Sequence, residues 1–152
     1  MFSTVRYFVK TSIVFLVSGI ITGLFMIVQR IYFNIYPSPD FISAHTHIIL
    51  VGSVVMMIMG VALWFFPRAE KEDKFYKPEL IRAVYYLLTI STSVRFVSQL
   101  ISAFELPGEL LRSILLISAF GQVIGIILFF ISIWGRIRSV GSHIREAKGE
   151  KF

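Results

Sequence analysis

At 152 residues the chain has the length of one domain, and an apolar content of 56% with a mean hydropathy of +0.78 excludes an ordinary soluble globule. The absence of cysteine excludes disulfides, thiolate nucleophiles, iron–sulfur clusters and cysteine zinc sites, so a metal would have to sit on His, Met or oxygen. The net charge of +6 comes from basic residues flanking apolar runs, which suits anionic lipid headgroups and excludes nucleic acid as the partner.

Four apolar runs predict an all-α, integral membrane four-helix bundle forming one domain over residues 1–152. The first helix is expected at about Phe8–Gln29, and is too long and too poorly followed by small residues to be a signal peptide. It contains Gly19-Ile20-Ile21-Thr22-Gly23, a G-x-x-x-G that allows another helix to approach closely. The link from Arg30 to Pro39 carries Tyr32, Tyr36 and two prolines and reads as an interfacial turn, after which Asp40 is the expected N-cap of the second helix.

That second helix is expected over Phe41–Phe66, a stretch without Asp, Glu, Lys or Arg, which at a rise of about 1.5 Å per residue exceeds the roughly 30 Å of a bilayer core. A charged loop, Arg68 to Pro78, leads to the third helix at about Arg82–Phe104, and Glu105-Leu106-Pro107-Gly108-Glu109 turns the chain into the fourth, about Leu110–Trp134. The fourth helix holds a second G-x-x-x-G, Gly121 to Gly125, and a basic tail follows over residues 135–152.

Lys and Arg are concentrated at the N-terminus (Arg6, Lys10), in the middle loop and in the tail, whereas the other two links hold only Arg30 and Arg112. The positive-inside rule therefore predicts both termini on the cytoplasmic side of a prokaryotic inner membrane. His45 and His47 then lie near the outer face, within about two turns of the start of their helix.

Ionisable residues inside a membrane are costly and tend to be functional, which makes His45 and His47 the candidate metal ligands. Two positions apart, they project about 200° from each other, so one helix cannot offer both to one metal. Either one is a ligand and the other a packing group, or they face different neighbours, or the helix is irregular there. Below His45, at helical spacing, Gly52, Met56 and Met59 are expected to form a smooth, open strip suited to a flat porphyrin. His143, in the tail at the opposite end, reads as a solvated residue. The third helix carries a polar stripe of Ser91, Arg95, Ser98, Gln99 and Ser102. Arg95 is its only charge deep in the bilayer and either partners a haem propionate or snorkels toward lipid phosphate, with Gln99 expected nearer the level of His45.

Ala44-His45-Thr46-His47, followed by Leu50, Gly52, Gly60 and Phe66-Pro67, resembles the second helix of haem-copper oxidase subunit I, especially in cbb3-type oxidases and nitric oxide reductases. The resemblance covers this helix alone. It implies that the helix enters from the outer face and that His45 is an axial ligand of a low-spin haem b, while the role of His47 is not inherited. The other three helices hold no histidine, so a haem-copper pair that reduces oxygen or nitric oxide is not expected. A sixth iron ligand would come from His45 or His47 of a second copy, in a homodimer supported by the G-x-x-x-G faces, or from Met26 near the outer end of the first helix; otherwise the iron is five-coordinate and open to a gas. The expected function is a membrane b-type cytochrome for electron transfer, with quinol or a respiratory protein as partner, or for gas binding. The alternatives are a haem-free copper or zinc protein and a structural or assembly subunit without cofactor. No constellation for hydrolysis or phosphate chemistry is present.

Overall fold

The computed structural model describes residues 2–66, 77–104 and 108–137. Their regular elements are all helical: α1 (Phe2–Phe33), α2 (Pro39–His47), a π-helical stretch (Ile48–Val55), α3 (Met56–Phe65), α4 (Pro78–Phe104) and α5 (Glu109–Ile133), with a final 3-10 turn at Trp134–Arg136. The elements from Pro39 to Phe65 run on as one span, giving four helices long and apolar enough to cross a membrane. Large apolar side chains such as Ile21, Leu24, Ile58, Ile117 and Phe120 are exposed on the outside of the bundle, which suits lipid rather than water. Most of the charged loop and tail, including His143, and most of the turn before α5 lie outside the described residues.

Helix ends explain where the chain departs from expectation. α1 continues to Phe33 because nothing breaks it before Asn34, which adopts a left-handed conformation (φ 52°) while the Ile35 N–H reaches back to the Gln29 carbonyl at 3.1 Å. The N-cap of α2 is Ser38 rather than Asp40: the Ser38 hydroxyl accepts from the Phe41 N–H at 3.3 Å, and Pro39, having no N–H to satisfy, fits the first helical position. Asp40 is thereby released to accept a hydrogen bond from Ser102 of α4 at 2.5 Å. Pro78 likewise begins α4, four residues ahead of Arg82.

The π-helical stretch is the feature that the sequence pattern hides. It contains five β-branched residues and Gly52, all weak α-formers, in a run of eight. Because it departs from the 3.6-residue period, residues on either side no longer follow simple α-helical spacing. Gly52 itself is buried, and a Cβ there would lie 2.8 Å from the Phe15 ring of α1 and 3.0 Å from Thr92 of α4. Met56 and Met59 are fully buried in the core. The open porphyrin strip expected below His45 is therefore filled by α1 and α4.

Neighbouring helices pack antiparallel in the order α1, second span, α4, α5. Both G-x-x-x-G motifs are consumed inside the chain. Gly19 and Gly23 receive Ile49 and His45 of the second span, while Gly121 and Gly125 receive Ser91 and Leu88 of α4. The homodimer loses the argument drawn from these glycines. At the end holding the first turns of α1 and α4, Phe8, Tyr85 and Phe129 close the bundle through edge-to-face contacts, and Thr11 and Tyr85 hydrogen-bond at 2.8 Å. Arg136, counted with the basic tail, is fully buried and donates to the Leu63 and Phe66 carbonyls at 3.5 and 3.1 Å. Its cation thus satisfies carbonyls at the negative end of the second span.

Two outcomes test this packing. Gly19→Leu and Gly125→Leu should each lower the unfolding free energy in detergent by about 1–3 kcal/mol through overpacking, with sedimentation showing an unchanged oligomeric state. Arg136→Met should lower stability by about 1.5–3 kcal/mol, read from chemical unfolding, because charge-assisted bonds to buried carbonyls are lost.

Candidate functional site

His45 is positioned by the close approach of α1. A Cβ on Gly23 would lie 2.7 Å from His45 Cε1, so only glycine leaves room for the imidazole at this point of the helix. His45 Nδ1 lies 3.0 Å from the Gly19 carbonyl oxygen. A carbonyl only accepts, so Nδ1 carries the hydrogen and donates it, and Nε2 keeps its lone pair. The first G-x-x-x-G therefore does two things: Gly23 admits the ring, and Gly19 fixes its tautomer and orientation.

Beside the ring is an open groove of about 440 Å³, lined by Gly23, Met26, Ile27 and Arg30 of α1, Tyr36 and Pro37 of the link, and Ile42 and His45 of α2. This volume falls in the range of small-molecule sites, roughly 300–1,000 Å³. Met26 and His45, two of the sequence candidates, are brought together here. Arg30 lies over the Tyr36 ring, 5.5 Å from its centroid, and adds a cation to the lining. Two further grooves, one between α1 and α3 around Gly60 and one on α5 around Phe130, contain no His or Met.

The remaining candidates lie elsewhere. His47 Nδ1 donates to the Ser43 carbonyl at 2.8 Å, on the side where Gln99 Nε2 donates to Ser43 Oγ at 2.7 Å. The two histidines thus face different neighbours, His45 toward α1 and His47 toward the seam with α4. Arg95 does not line the His45 groove; its Nη1 donates to Gln122 Oε1 of α5 at 2.8 Å, and Gln122 Nε2 donates to Thr92 at 3.0 Å. The third-helix stripe therefore divides, with Gln99 and Ser102 meeting α2 and Arg95 meeting α5. Gln99 is level with Ser43, two residues ahead of His45, as its bond to Ser43 requires.

Arg30 is the groove residue that sequence reasoning passed over. The signal was present, since Gly19, Gly23, Met26 and Arg30 follow one another at helical spacing on one face of α1. Among the described residues no group of three or more His, Cys, Asp or Glu could hold a metal ion. A bare ion would therefore lack the usual donor set, whereas a group bringing its own equatorial ligands needs only one or two from the protein.

Nitrogen NMR of histidine-labelled protein should find His45 with Nδ1 protonated and Nε2 bare, and Gly23→Ala should move those resonances by displacing the ring. A protonated Nε2 in the wild type would contradict the assigned tautomer. Comparison with protein-family models, curated proteins and solved structures gives no match to this chain.

Proposed function

We propose that the chain is a membrane b-type cytochrome whose haem binds in the groove beside His45. The observation that carries this reading is the bond from His45 Nδ1 to the Gly19 carbonyl, which leaves Nε2 as a free, oriented donor beside a groove shared with Met26. Ligating histidines characteristically donate their other ring N–H to a carbonyl or carboxylate, which fixes the ring and raises its basicity. The residues would fit the group: His45 would offer an imidazole to its iron, Met26 a thioether, and Arg30 a guanidinium to a propionate.

Haem b supplies one-electron exchange at its iron, and the protein sets its potential through the axial donors and the polarity around them. His45 supplies the basic nitrogen, with the Gly19 carbonyl acting through it. Met26 would offer a soft second donor from the same chain. Arg30 takes over the propionate role first considered for Arg95, which is occupied with Gln122. Among the described residues of one chain no three such ligands converge on a bare copper or zinc ion, so that alternative would need a second copy.

Arg6, Lys10, Lys77, Arg82 and Arg136 belong to helix ends remote from His45. The positive-inside rule then gives an outer position for the groove and cytoplasmic termini. A groove open at the outer boundary of the membrane suits electron exchange with quinol or with a respiratory protein there.

Absorption spectra of the purified protein, oxidised and dithionite-reduced, test this reading. The expected result is a Soret band with sharp reduced α and β bands, lost in His45→Ala and changed to a high-spin spectrum in Met26→Leu. No haem absorbance after expression with haem supplied would reject the proposal and favour a cofactor-free subunit or another ligand.

A further inference from the structure

The seam between α2 and α4 holds a second polar site, on a different face of α2 from His45. Asp40, Ser43 and His47 occupy one face of α2, and Ser102, Gln99 and Arg95 one face of α4, each at helical spacing. The first two rungs of this antiparallel ladder are direct: Ser102 to Asp40 at 2.5 Å and Gln99 to Ser43 at 2.7 Å. Continued by one turn, the same register sets His47 level with Arg95.

The second rung is incomplete. Gln99 is only 6% exposed, and while its Nε2 donates to Ser43 Oγ, its Oε1 is buried and accepts no hydrogen bond. Rotating the amide would exchange an unmet acceptor for an unmet donor and leave the shortage in place. Ser43 Oγ accepts from Gln99. It also lies 3.2 Å from His47 Nδ1, whose hydrogen is directed to the Ser43 carbonyl. A protonated Nδ1 cannot accept from Oγ, so the hydroxyl's own hydrogen remains available to donate.

We propose that the rung between Ser43 and Gln99 binds an O–H group that accepts from the Ser43 hydroxyl and donates to Gln99 Oε1. The chemistry of the gap selects this ligand. A carboxylate has no hydrogen for Gln99, and an ammonium has no lone pair for Ser43; an oxygen bearing hydrogen supplies both. Two sources carry such a group to this depth: water entering past the half-buried Asp40 at the end of the ladder, and the hydroxyl of an amphiphile entering from the bilayer. A single ordered oxygen here would complete the polar seam that joins α2 to α4. The proposal does not depend on haem at His45.

Solid-state NMR of labelled protein in bilayers separates the sources. With deuterated lipid in ordinary water, magnetisation transfer from water should reach the Gln99 side chain several-fold faster than fully buried Leu88, and about as fast as Asp40. In heavy water, where every exchangeable hydroxyl is deuterated, fast transfer from the C–H protons of protonated lipid or of added long-chain alcohol would assign the site to an amphiphile hydroxyl instead. Ser43→Ala, which removes the donor and keeps the shape, should bring Gln99 to the Leu88 rate under the condition that gave fast transfer. Gln99 transfer as slow as that of Leu88 in both experiments with the wild-type protein, or fast transfer unchanged by Ser43→Ala, would overturn the proposal.

Discussion

The contact on which this structure turns is the one between the glycine face of α1 and the His45 side of the second span. In a bilayer, helices gain little from burying apolar surface against one another, so close backbone approach and satisfied polar groups decide which faces meet. Gly19 and Gly23 provide both. The missing side chain at Gly23 admits an imidazole, and the Gly19 carbonyl gives that imidazole a hydrogen-bond partner in hydrocarbon. One consequence is architectural, since α1 is held along the second span. The other is chemical, because the same bond leaves His45 Nε2 without a hydrogen in a ring that lines the groove shared with Met26.

The third helix divides its polar residues between two partners. Ser102 and Gln99 bind α2, and Arg95 with Thr92 binds Gln122 of α5. Polar side chains buried among apolar helices fix register and partner, because any slip strands several unsatisfied groups at once. α4 therefore holds the second span and α5 together, and Arg95 contributes to that assembly. Arg136 plays a comparable part at the opposite end, where its buried guanidinium meets the last carbonyls of the second span.

Much of this was legible in the chain. Apolar runs and basic flanks were enough for the four helices, and the two glycine motifs announced close packing. His45 and Met26 could be matched in depth from helix positions alone. What could not be read were features that depend on three-dimensional partners. The π-helical stretch has no distinct pattern, being composed of the same Ile, Val and Gly that an apolar α-helix uses, and it spoiled the extrapolation from His45 to Gly52. Ser38 displaced Asp40 as the cap because Asp40 has a better partner on a distant helix. Arg95 was directed to the wrong neighbour because a neutral Gln122, invisible to a search for opposite charge, satisfies it. Arg136 was counted only among the basic residues of the tail, since nothing in the sequence shows the carbonyls it meets at the end of the second span.

The central claim is that the His45 groove binds one haem per chain. Titrating haem into cofactor-free protein in lipid nanodiscs, with His45→Ala and His47→Ala alongside, tests it most directly. The account predicts a saturable Soret shift ending at one haem per chain in the wild type and in His47→Ala, and no saturable shift in His45→Ala. A wild-type curve without saturation, or a shift that survives loss of His45 and disappears with His47, would contradict it.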